Sequence, residues 1–258
     1  MKKITALLLV LIMVFTLAAC GQKDETMVYA VEAGSAGEAA ALENSFEINS
    51  VDTQAKALME VDAGTSDAAI IDSLMAGAMV GEGTSYPDLV VTDQKLTEEL
   101  YGAGCRKGSD LAAYINDVMS EAYADGTMQK LAETYGVQAA LVEQPAATGS
   151  TPAADGDVAY IQGKGTLVVG ITDFAPMDYK DDNGEWIGFD ADMAKIVAEK
   201  LGVEIQFVEI DWDNKVFELD GKAIDVVWNG MTLTDAMLAA MECTNAYCNN
   251  AQVVVTKG

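Results

Sequence analysis

Asp72 closes a short apolar run, Ala68 to Ile71, and opens the helical pattern of Leu74 to Val80. An acid at the carboxyl end of a buried-type strand either caps the next helix or faces the cleft in which α/β sheets place their ligands. Glu32 ends a second strand pattern, Val28 to Glu32, followed by Gly34-Ser35-Ala36-Gly37 and an alanine-rich helix. That turn leaves backbone N–H groups at a helix start, where an anion or carboxylate is welcome. Small residues are also what strand-to-helix turns commonly need. The acidic turn Asp181-Asp182-Asn183-Gly184 invites a calcium-loop reading, but with Gly184 as the sixth loop position the first falls on Tyr179, where a carboxylate is required. No metal site is expected there. The chain has no histidine, which excludes Ser-His and Cys-His nucleophile pairs and the commonest zinc ligand sets. No catalytic residue and no cofactor are expected.

The amino terminus carries a different chemistry. Lys2 and Lys3 precede an unbroken apolar run from Ile4 to Leu17, then Ala18, Ala19 and Cys20, the layout of a secretory signal. The run falls short of the roughly 20 residues that cross a hydrocarbon core. Leu17-Ala18-Ala19-Cys20 resembles a bacterial lipobox, which implies lipidation of Cys20, removal of residues 1–19 and a lipid anchor outside the cytoplasm. The 15 basic against 41 acidic side chains give a net charge of −26, a surface that repels nucleic acid and anionic lipid. Once Cys20 is set aside, Cys105, Cys243 and Cys248 remain, an odd number without histidine, so free and mostly buried thiols are expected.

These residues need elements to position them. Asp52 to Val61 reads as a helix with Ala55, Leu58 and Met59 on its apolar stripe. Leu89 to Thr92 and Leu100 to Cys105 read as strands, and Ser109 and Thr127 as caps of two helices that stop at Gly136. From Glu143 to Gly156 the text becomes EQPAATGSTPAADG, with two of the four prolines and no apolar period, so a flexible linker is expected. Beyond it Thr166 to Ile171, Glu204 to Ile210, Ile224 to Asn229 and Gln252 to Thr256 read as strands. Asp190 to Leu201 and the segment from Thr234 read as helices, and Asn183-Gly184 as a hairpin turn. The alternation predicts an α/β architecture with largely parallel sheets.

GTLVVGITDFAPMDYKDDNGEWIGFDADMAKIVAEKLGVEIQFVEIDWDNKVFEL, with DVVWNGMTLT and NAYCNNAQVVVTK, closely resembles the front half of the family 3 extracellular solute-binding proteins. VYAVEAGSAGEAA, ALMEVDAGTSDAAIID and YGAGCRKGSDLAAYINDVMSEAYADGTMQKLAETYG resemble its back half. The halves stand in reverse order, so the chain looks circularly permuted, which is physically reasonable where termini lie close together on the surface.

The resemblance implies a two-lobed fold of the periplasmic-binding-protein type that closes on a small ligand and presents it to an ABC permease, as a monomer. Residue by residue, it implies that Phe174 and Trp212 sandwich the ligand, that Asn229, Gly230 and Thr232 offer backbone and hydroxyl hydrogen bonds, and that Asp72 receives an α-ammonium. It also implies that Glu32 and Ser35 contribute from the facing lobe. One departure stands out: where the family carries a carboxylate-clamping arginine, TLTDAM has Met237, and the chain's one arginine is Arg106. The expected ligand is therefore an amine, or an amino acid whose carboxylate rests on backbone N–H groups and Thr232. The expected map is a signal at 1–19, a tether at 20–27, a lobe at 28–103, a hinge strand and helices at 104–142, a linker at 143–157 and the other lobe at 158–258. A sensor module and a degenerate, non-binding copy are the alternatives. The same fold also carries dehydratases, for which Glu32, Asp72 and Asp173 are the acids on offer.

Overall fold

The computed structural model describes residues 26–258. The expected signal, residues 1–19, and Cys20 lie outside the described residues. The first stretch alternates strand and helix: β1 (Val28–Glu32), α1 (Ala36–Glu43), β2 (Glu47–Val51), α2 (Gln54–Ala63), β3 (Ala68–Asp72), α3 (Ser73–Met79) and β4 (Leu89–Lys95). The helix ends follow local chemistry. Thr53 caps α2 by accepting from the Lys56 N–H at 3.1 Å, and Gly64 ends it in the left-handed region at φ 76°.

The connecting stretch holds β5 (Glu99–Tyr101), β6 (Gly104–Cys105), α4 (Leu111–Ala124) and α5 (Thr127–Thr134). After it come α6 (Asp157–Lys164), β7 (Thr166–Ile171), the hairpin β8 (Tyr179–Lys180) and β9 (Trp186–Ile187), α7 (Phe189–Leu201), β10 (Glu204–Glu209) and a 3₁₀ turn at Trp212–Asn214. The series finishes with α8 (Lys215–Asp220), β11 (Val226–Val227), α9 (Asp235–Ala240), β12 (Glu242–Cys243), β13 (Cys248–Asn250) and β14 (Gln252–Lys257). The expected single strand Leu100 to Cys105 is split because the chain changes sheets there: β5 pairs with β13 and β6 with β11 and β12.

Two five-stranded sheets result, ordered β2-β1-β3-β14-β4 and β10-β7-β11-β6-β12. In each, strands running parallel from one half of the chain are joined by one antiparallel strand from the other half, β14 in the first sheet and β6 in the second. The expected map is corrected at this point. β14 lies between β3 and β4, so the segment from Gln252 stands with the 28–103 lobe rather than with 158–258. Its Val253, Val254 and Val255 are buried between apolar partners, which decides the sheet it joins. Tyr29 and Thr256 both face Ala68 of β3, so the start of β1 and the end of β14 share one rim, about 10 Å apart at two strand spacings.

The linker also departs from expectation. Residues 142–153 form almost no regular structure, yet they are pinned along α4. Asp117 accepts from the backbone N–H groups of Thr148 and Ser150, both at 2.6 Å, and Asp110 accepts from Ala153 N at 3.0 Å. The Ser150 hydroxyl, followed by the backbone bonds, holds the Asp117 carboxyl down at about 2. The segment is a strap. Cys105 and Cys248 are buried, Cys243 is half-buried, and all three are free thiols.

Candidate functional site

A cleft of about 270 Å³ opens at the carboxyl ends of β1 and β3, facing the 3₁₀ turn, the segment after β11 and the start of α9. Its two acids are deeply buried, Glu32 at 2% and Asp72 at 4% exposure. Asp72 occupies the N-cap position of α3 but makes no capping bond. Its oxygens instead accept from the Tyr101 hydroxyl at 2.7 Å, from Gln252 Nε2 at 3.0 Å and from the amides of Asn250 and Gln54, while Gln54 Oε1 receives the Asp72 N–H at 2.8 Å. Of the two readings of this acid, the cap is excluded. Burial, and then the charge of Glu99, push Asp72 up to about 7. Glu32 is pushed further, to about 8, by burial and then by Asp72, and its Oε1 is buried without a hydrogen-bond partner.

Lys215, which sequence reasoning missed, is the basic side chain of the cleft wall. The turn Trp212-Asp213-Asn214 carries it three residues past Trp212, so its ammonium folds back 4.8 Å over the indole ring. It donates to Trp212 O and, across the cleft, to Gly34 O, both at 2.9 Å. Burial lowers its pKa, although Glu32 beside it acts the other way. The local signal was available: a lysine one turn after a tryptophan has an aromatic face within reach.

Residues 167–258 match the bacterial extracellular solute-binding proteins, family 3. The match covers a little over a third of the chain. Among relatives, the L-cystine-binding protein TcyJ of Escherichia coli (strain K12) is 33% identical over 100 residues, 38% of each chain. The arginine-binding extracellular protein ArtP of Bacillus subtilis (strain 168) is 31% identical over 96 residues, 37% of each. The arginine-bound form of truncated ArgBP from T. maritima is 40% identical over 31% of this chain and 39% of that one, with a TM-score of 0.31. The chain thus spans two fifths or less of the length of the curated relatives it matches.

Each residue expected at the ligand has a definite place in the structure. Glu32, Ser35, Asp72, Trp212, Asn229, Gly230 and Thr232 all line the cleft, as does Met237, held by the Thr234 cap of α9. Phe174 does not. It is buried at 2%, its ring lying edge-on to Tyr101 and against Gly230, whose φ of 58° and missing Cβ allow that approach. The expected two-sided aromatic sandwich is therefore reduced to Trp212, whose face already meets Lys215.

The expected hydrogen-bond donors are likewise turned inward. Gly230 N donates to Asp190 Oδ2 at 2.6 Å, and the Thr232 hydroxyl donates to Glu99 Oε2 at 2.9 Å. The Asn229 side chain ties itself to Thr172, donating to Oγ1 at 2.7 Å and accepting from N at 2.9 Å. Ser35 Oγ accepts from Glu38 N at 3.0 Å, and Glu38 returns to Gly34 N at 2.9 Å, so the helix start carries its own carboxylate. What faces the cleft is rich in acceptors and poor in free donors. A small cation suits that balance, because a buried carboxylate oxygen without a donor is costly until one arrives.

Proposed function

We propose that this protein captures a small amine-bearing solute, an amine or an amino acid, in the cleft between its two α/β lobes and delivers it to an ABC permease. The observation that carries this reading is the pair Glu32 and Asp72, both nearly fully buried, with Glu32 Oε1 left without a partner in a cavity of ligand size. An ammonium brought there forms charge-assisted bonds in a site that excludes water. The names of the relatives, cystine-, arginine- and histidine-binding proteins, agree with a positively charged or zwitterionic solute. No group in the cleft is assigned a catalytic role.

The chain is further read as circularly permuted and lipid-anchored. Permutation is supported by the shared rim of β1 and β14, across which a short connection would join the two halves in the family's order, and by the strap that links α5 to α6. The anchor rests on Cys20, and palmitate labelling lost in Cys20→Ala is its test. The binding reading is tested by thermal unfolding with a panel of amino acids and amines. A true ligand at a hundred times its Kd stabilises by about 2.7 kcal/mol. A panel without any shift overturns the reading.

A further inference from the structure

Two unsatisfied groups line the same cleft. Lys215 Nζ gives two of its three N–H bonds to Gly34 O and Trp212 O, and the third finds no acceptor among the described residues. Glu32 Oε1 is its counterpart, a buried acceptor with no donor. The two are near enough for each charge to act on the other, yet they form no ion pair. Lys215 is anchored by two carbonyls and an indole face at 4% exposure, so its ammonium has little freedom to swing towards Glu32. A group that ends both deficits must offer a cation to Glu32 and an anion to Lys215 inside the one cleft that both residues line. The hydroxyl and backbone donors expected to hold a carboxylate are taken up by Glu99 and Asp190.

We propose that Lys215 is the carboxylate-receiving residue of this cleft and decides between amino acids and the simple amines derived from them. The inference rests on the binding reading above. The ligand ammonium meets Glu32, its carboxylate takes the third N–H of Lys215, and the lysine stays seated on Trp212.

The test uses matched pairs that differ only by the carboxylate: arginine and agmatine, lysine and cadaverine, histidine and histamine, titrated calorimetrically into the wild type, Lys215→Met and Lys215→Arg. In the wild type the amino acid of at least one pair binds tenfold or more tightly than its amine. In Lys215→Met that amino acid weakens tenfold or more while the amine changes less than threefold, and Lys215→Arg keeps the preference. An unchanged preference in Lys215→Met overturns the assignment. So does a tighter amine with an unchanged amino acid, which would make Lys215 a competitor for the amine's place. If Lys215→Met unfolds, the preference shown by Lys215→Arg decides, and its loss counts against the proposal because the charge is retained. Silence of every pair in the wild type overturns the binding reading and this inference with it, whereas binding without a Lys215 effect removes the inference alone.

Discussion

Two of the places where the protein buries charge treat it in opposite ways. At the junction of strap and second lobe, Arg106 meets Asp157 at 3.0 Å and Asp225 at 3.4 Å, and donates to Ile224 O at 2.8 Å. Asp225 also takes Lys164 Nζ at 2.6 Å and Val168 N at 2.8 Å. Burial alone would raise Asp157, but its bonds from Arg106 and Ser109 hold the carboxyl below its usual range. In the cleft, Asp72 has only neutral donors and Glu32 has a cation that stands off, and both acids are raised. Complete pairing makes a structural joint, whereas incomplete pairing stores a deficit that a ligand can remove.

The largest effect is expected at the joint. Arg106→Ala leaves Asp157 without an ion-pair partner and Asp225 with Lys164 and the Val168 N–H, and should destabilise by about 3 to 5 kcal/mol in denaturant titration. A loss under 1 kcal/mol would mean that the two sites do not differ as described.

The pH profile separates them next. Glu32 near 8, Asp72 near 7 and Asp190 near 7 all have folded pKa values above their unfolded ones. Their contribution is complete below about pH 4 and is lost as pH rises towards 8, because the folded state then holds protons that the unfolded state has released. Asp117 and Asp157 are lowered, so theirs is present above about pH 4 and lost below it. Stability should be greatest near pH 4 to 5 and fall steadily towards pH 8. A flat or rising profile over that span contradicts the raised cleft acids.

Glu32→Gln sharpens the contrast. Removing a buried charge should raise stability at pH 8 by about 1 to 2 kcal/mol while weakening any ligand found by the thermal panel, the reverse of a neutralising change at the joint. The smallest effect belongs to the strap: Asp117→Asn should cost about 1 kcal/mol, as for a partly exposed group that keeps its place at the surface. It should nevertheless speed proteolytic cutting between residues 143 and 156, read by limited digestion.

Much of the fold was legible because it is local. The strands Val28–Glu32 and Thr166–Ile171 and the Thr234 cap follow from patterns a few residues long. β2, Glu-Ile-Asn-Ser-Val, escaped notice because it is a half-exposed edge strand with little apolar content. α8 is too short to show a period. The cleft was legible as a set of lining residues but not as a set of available groups. Whether the Gly230 N–H or the Thr232 hydroxyl is free depends on Asp190 and Glu99, which lie 40 and 133 positions away. Burial of Phe174 against a glycine is equally non-local.

The place of β14 sets a timetable. Lys95 ends β4 and Gln252 begins β14, more than 150 residues later. While the intervening chain is being synthesised, β3 and β4 lack the strand that joins them, and the apolar edge Ala68–Ile71 has no partner on that side. An unpaired edge of this kind recruits other strands. At about 5 to 20 residues per second the exposure lasts for roughly 10 to 30 seconds. A helper that shields nascent edges would have its period of work set by the spacing of these two strands.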